Sequence, residues 1–289
     1  MKTRTGNFPI GFRRGGGDWQ QDLAALLAWA KQHGLEVVDL RPDGDATGQA
    51  VLEAGLRIGS VDLPDSKGMI ARDPGRRAEA IARNAEYVRA CAAFGPVNHF
   101  LVMLPEDPAL PRAENFGYMV ESFSELAPVL EQHSAKLVIE GWPGPGALCC
   151  TPEGYRAFFE QVPSPAMGIN YDPSHLIRMR IDPLRFLREF GNRVYHVHGK
   201  DTMPLDENLY EYGAEQPATF AKPRPFSGMT WRYTIPGHGV ARWTEIFQIL
   251  QELGYQGAVS IELEDANFHR DPDAEQLGIL QGAQFLTGC

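Results

Sequence analysis

The stretch 167–201, MGINYDPSHLIRMRIDPLRFLREFGNRVYHVHGKD, carries the unit from which the fold follows. MGINYD, from Met167, is a short run of strand length that ends on an acid. Asp182-Pro183 then pairs a good N-cap with proline at the first helical position, where its missing N–H costs nothing. From Val194 the chain alternates again as VYHVHG, and the strand runs out on His198, Lys200 and Asp201. Strand, helical connection and second strand make a βα repeat, the building block of a parallel sheet.

The same rhythm runs along the chain. Strand runs begin with FPIGFR near Phe8, EVVDLR from Glu36, LRIGSVDL from Leu56 and HFLVMLP from His99; KLVIEG from Lys136 and AVSIELE from Ala258 complete the set. Helical periodicity fills the intervals, as in Leu23, Leu26, Leu27 and Ala30, or Ile246, Ile249, Leu250 and Leu253. Thr151-Pro152 marks another helix start. Eight strands, each followed by a helix or helical turn, predict a closed (β/α)8 TIM barrel forming one domain over residues 1–289. An open doubly wound sheet is the alternative, but no GxGxxG follows a strand to support a dinucleotide site. One segment breaks the rhythm: Thr202 to Pro236 separates the seventh strand from its helix. It is rich in Pro, Gly and aromatics, so it is expected to fold down as an active-site lid or, alternatively, to serve oligomer contacts.

Composition narrows the function. The 289 residues are 43% apolar and 22% charged, which supplies a sizeable core. With 27 basic against 37 acidic residues the formal charge is −10, which repels a phosphate backbone, so nucleic acid is not expected as a partner. No stretch has the length of a signal-peptide core or a membrane span, and a cytoplasmic location follows as the expectation. Cys91, Cys149, Cys150 and Cys289 show no CxxC spacing and read as reduced thiols.

In such a barrel, chemistry is built where strands end. The fifth strand ends on Glu140, the sixth on Asp172, the seventh on His198 and the eighth on Glu262. Carboxylates converging at one level repel unless a cation lies among them. Three carboxylates and an imidazole form a hard, oxygen-rich set for one divalent ion: Mn2+ first, then Mg2+, with Zn2+ or Co2+ as alternatives. His175, three residues beyond Asp172, is placed to touch a ligand held there. His196 reads as a hydrogen-bonded core histidine. Lys200 and Asp201 either bind substrate hydroxyls or pair with each other. His238 stands between two glycines in IPGHGV, a tight turn that aims its side chain.

At these residues VIEG, NYDPSHLIRMRIDPLRFLREFGNRVYHVHGKD and IPGHGVARWTEIFQILQELGYQGAVSIELED, together spanning 136–265, resemble the sugar phosphate isomerase/epimerase group of xylose isomerase-like TIM barrels. The resemblance implies one divalent metal held by Glu140, Asp172, His198 and Glu262. It also implies that Glu140 and Glu262 act as the acid/base pair and that His175 contacts substrate. Lys200 and His238, from their place at the strand end and in the turn, are further substrate-binding candidates. Relatives form dimers or tetramers, so a homo-oligomer is the corresponding expectation. A metal-chelated carbonyl acidifies the neighbouring C–H, and two carboxylates can remove and return that proton. The expected function is therefore a metal-dependent sugar isomerase or epimerase acting on a sugar or keto-sugar. Expulsion of a β leaving group by the same chemistry makes a lyase or hydratase on 3-keto-sugars or 3-keto-glycosides the alternative. No phosphate cradle is visible, so a phosphorylated substrate is not assumed. Two other classes fit the residues less well. An AP endonuclease of the same superfamily needs extra histidines at early strand ends, where VVDLRP, SVDLPD and VMLPED have none; a non-catalytic sugar-binding barrel has less use for two glutamates on one metal.

Overall fold

The computed structural model describes residues 1–289. Eight strands close into a barrel: β1 (Ile10–Arg13), β2 (Val37–Leu40), β3 (Arg57–Asp62), β4 (Asn98–Val102), β5 (Lys136–Glu140), β6 (Met167–Tyr171), β7 (Val194–Gly199) and, last in the chain, β10 (Val259–Ile261). Around the ring the order is β1-β10-β7-β6-β5-β4-β3-β2. The β1/β10 pair and the successive pairs from β3 to β7 are parallel. Strands covered on both faces read as continuous apolar runs, and every residue of β2 and of β6 is buried. The parallel (β/α)8 barrel expected from the sequence is the observed fold.

Helices follow the strands: α1 (Leu23–Gln32), α2 (Gly44–Glu53), α3 (Pro74–Cys91), α4 (Arg112–Gln132), α5 (Pro152–Gln161), α6 (Pro173–Arg178), α7 (Pro183–Phe190), α9 (Trp243–Glu252) and α10 (Pro272–Thr287). Their starts obey the capping rule. Asp22, Asp73, Thr151, Asp172 and Asp271 each accept a backbone N–H of the first turn, and in four of the five cases proline follows directly.

By internal contact the chain divides into two compact units, Met1–Val37 with Asp172–Glu189 and His198–Cys289, and Val38–Tyr171 with Phe190–Val197. In the first, Gly11 lets β1 lie close to β2: a Cβ there would stand 2.0 Å from the Val37 carbonyl oxygen. Phe8 meets Phe247 and Tyr255 edge to face, and Trp29 sits between Phe12 and Trp19 in the same way. In the second, Gly168 occupies the register shift between β6 and β7, where a Cβ would strike the Tyr195 ring at 2.2 Å. Its fully buried His99, on β4, has no hydrogen-bond partner at either ring nitrogen, and burial pushes its pKa down to about 4. All four cysteines are buried and free of disulfides.

The segment 202–236, treated above as a loop, has a regular stem. β8 (Asp201–Pro204) pairs antiparallel with β9 (Trp231–Thr234), and α8 (Asp206–Tyr212) lies between them. Asp201 anchors this insertion. Its carboxylate accepts the backbone N–H groups of Thr202 at 2.8 Å, Ala241 at 2.9 Å and Gly237 at 3.3 Å, and the Trp243 indole N–H at 3.3 Å. These contacts commit the Asp201 carboxylate to the root of the insertion rather than to Lys200. Burial raises its pKa, against the lowering by these hydrogen bonds. The glycines of IPGHGV serve the same anchor: a Cβ on Gly239 would lie 2.2 Å from Asp201 Oδ1, while Gly237 turns the chain at φ +90°.

Candidate active site

Asp172 follows β6 directly and begins α6. One carboxylate oxygen caps the helix by accepting the Ser174 N–H at 2.8 Å; the other turns to Lys200 Nζ at 3.2 Å and His175 Nε2 at 3.3 Å. His198, in β7, is fully buried, with Nδ1 3.5 Å from Glu262 Oε2. Glu262 follows β10 and is also met by Arg13 Nε at 3.3 Å from the end of β1. Lys200 is 1% exposed. A buried ammonium is costly unless paired, and here it is surrounded by acids: it donates to Glu262 and, at 2.9 Å, to Glu264, beside the contact with Asp172. It also lies 4.7 Å from the centre of the Tyr233 ring.

The insertion enters the site through β9. The Tyr233 hydroxyl lies 2.6 Å from His175 Nδ1 and accepts from Arg178 Nη1 at 2.8 Å. Arg178 stacks 4.1 Å from the centre of the Trp231 ring, and the Trp231 and Tyr233 rings are 4.7 Å apart. Burial pushes the Tyr233 phenol up, which outweighs the pull of Lys200 and Arg178, so it keeps its proton.

Glu140 ends β5, where the β5/β6 register sets it opposite Asn170; Oε1 accepts from Asn170 Nδ2 at 2.9 Å. His196 is bonded to Asp39 Oδ2 at 2.8 Å and buried, the core histidine anticipated from its spacing. His238 is set apart from the others: it is exposed, and its ring lies 6.1 Å from that of Phe268. Arg13, Arg178, Tyr233 and Glu264 are the site residues that sequence reasoning missed. Only Arg178 carried a usable signal, one helical turn from His175.

The description Xylose isomerase-like TIM barrel matches residues 16–289, and the chain belongs to that family. It is 36% identical over 103 residues to the YfiH protein of Bacillus subtilis (strain 168), covering 35% of this chain and 32% of that protein. It is 24% identical over 167 residues to the inosose dehydratase of Clostridium tetani (strain Massachusetts / E88), covering 58% of this chain and 53% of that enzyme. The matched region thus spans about a third and about half of the length of these two relatives. Among solved structures, the 3-keto-D-glucoside 4-epimerase YcjR from E. coli superposes with a TM-score of 0.70 at 14% identity, over 98% of this chain and all of that one.

Proposed function

We propose that the protein is a divalent-metal-dependent enzyme that moves a proton α to the carbonyl of a keto-sugar, with Glu140, Asp172, His198 and Glu262 holding the metal. One observation carries this reading: ligand atoms of Asp172, His198 and Glu262 all lie within 4.8 Å of one another. The charge balance fits such an ion. Asp172, Glu262 and Glu264 together would carry three negative charges against the two cations of Lys200 and Arg13, and carboxylates so placed have room for further positive charge. The oxygen-rich donor set suits Mn2+ or Mg2+ better than a thiolate-seeking metal.

Bound there, the ion supplies Lewis-acid polarisation of the substrate carbonyl. The chain's own residues do the rest. Glu140 and Glu262 exchange the proton with the α carbon. Glu140 is steadied by Asn170, and Glu262 is paired with Lys200 and Arg13. His175 and Lys200 donate to substrate oxygens. Return of the proton to the opposite face gives an epimer, and its return to the adjacent carbon gives an isomer.

The inosose dehydratase relatives favour a second outcome of the same first step, loss of a β-hydroxyl. Lys200 is the donor suited to the departing oxygen, since its ammonium already spans Glu262 and Glu264. The test is metal content by mass spectrometry, on the protein and on an Asp172→Ala, His198→Ala double variant, followed by solvent-deuterium exchange into candidate keto-sugars. About one divalent ion per chain, lost in the variant, with exchange abolished in Glu262→Gln, is the expected result. Absence of metal after Mn2+ is added back sinks the reading. Product analysis then separates epimerisation from water loss.

A further inference from the structure

The insertion does more than lengthen a loop. It encloses a cavity of about 360 Å3, within the size range of small-molecule subsites. Asn208, Lys222, Arg224 and Arg232 line it from the insertion, and Asn267 lines it from the segment that follows Glu262 and Glu264. Tyr233 is a further wall. Its hydroxyl is bonded to His175 and Arg178, so the cavity and the site share a side chain.

The charge of this lining is unlike that of the chain. Three cationic side chains face the cavity and no carboxylate does, in a protein of formal charge −10. Lys222 and Arg224 are exposed and make no ion pair. Arg232 approaches Asp265 only at 3.5 Å, and Asp265 is itself fully buried and occupied by the backbone N–H groups of Ile235 and Asn267, at 3.2 and 2.9 Å. The cationic groups are therefore largely uncompensated. A positive recess in an acidic molecule concentrates anions, and guanidinium groups match carboxylate and phosphate oxygens.

We infer that this cavity is a subsite for an anionic group, a carboxylate or a phosphate ester, carried by the substrate at the end remote from its reacting carbonyl. This rests on the reading of the site as a keto-sugar enzyme and narrows its substrate class to acidic sugars or glycosides. Recognition here uses side-chain cations and asparagine amides. It needs no helix N-terminus, which is why no phosphate cradle was legible in the sequence. Tyr233 divides the two ends: the sugar lies on the Lys200 side of its ring and the anion on the other.

The experiment uses the full chain loaded with Mn2+ and three probes: a methyl hexuronoside, a hexose 6-phosphate and a neutral methyl hexoside. Dissociation constants are measured by calorimetry for the native protein and for a Lys222→Ala, Arg224→Ala variant. Both residues are exposed, and an unchanged melting curve checks the fold. The expected result is that at least one acidic probe binds about tenfold or more tighter than the neutral one, and that this preference falls to near unity in the variant and weakens with salt. Which acidic probe prevails separates the carboxylate from the phosphate. Equal affinity for acidic and neutral probes, no binding of either acidic probe, or a preference untouched by the double substitution overturns the inference. The readings fail separately. A preference without any solvent exchange retains the anion subsite and removes the proposed chemistry; exchange without a preference does the reverse.

Discussion

The Tyr233 hydroxyl and Nδ1 of His175 share a hydrogen bond of 2.6 Å. Arg178, which can only donate, points Nη1 at the same oxygen from 2.8 Å. The other ring nitrogen, Nε2, lies 3.3 Å from Asp172 Oδ2 and 3.4 Å from Lys200 Nζ. A residue on an inserted strand thus anchors one end of the imidazole ring. Removing that hydroxyl frees the ring. Tyr233→Phe is expected to keep its full metal content while turnover falls about tenfold, measured by mass spectrometry beside steady-state rates.

Metal bound to the native state alone raises its stability. Chelation should lower the melting temperature, and Mn2+ at about 100 times its dissociation constant should restore about 2.7 kcal/mol. The Asp172→Ala, His198→Ala double variant should melt at one temperature with or without chelator, read by calorimetry.

His99 makes stability depend on pH. In the unfolded chain it takes a proton near 6.5, but in the folded barrel burial holds that step down to about 4. Between these values the unfolded state binds more protons, so stability falls as pH drops from 6.5 to 4, by about 3 kcal/mol. His99→Leu should flatten that part of the profile and raise stability at pH 5, because it removes two ring nitrogens with no hydrogen-bond partner. Urea midpoints at pH 5 and pH 8 provide the measurement.

Gly11→Ala tests the close approach of β1 and β2. Backbone cannot yield 2.0 Å contacts cheaply, so a loss of roughly 4 kcal/mol or more is expected, seen as collapse of soluble yield or of the urea midpoint.

Asp201→Ala strips the acceptor from four donors at the root of the insertion. The cost should be about 3–5 kcal/mol, with new proteolytic cleavage in 202–236, detected by limited digestion.

The barrel was legible because its signals are local. VYHVHG is β7, residue for residue, and Asp172 and Asp182 announce the helices that they cap. The acidic strand ends Glu140, Asp172 and Glu262 were legible for the same reason. Tyr233 and Arg13 were not, because they come from distant elements and only the folded chain places them beside His175 and Glu262. The hairpin stem was missed although TWRYTI has β-branched and aromatic residues at strand spacing, since its partner DTMP is four residues long and ends in proline. The glycines flanking His238 read as a turn that aims its side chain, and Gly239 also leaves the space that Asp201 occupies.

In the insertion's stem, Pro204 stands opposite Trp231 and Asp201 opposite Thr234. The chain leaves and re-enters the barrel at neighbouring points held by a single carboxylate. Residues 205–230 can therefore be shortened, lengthened or exchanged while Tyr233 keeps its hold on His175. The arrangement is a socket: mutation can replace the plug while the residues held beneath it keep their positions.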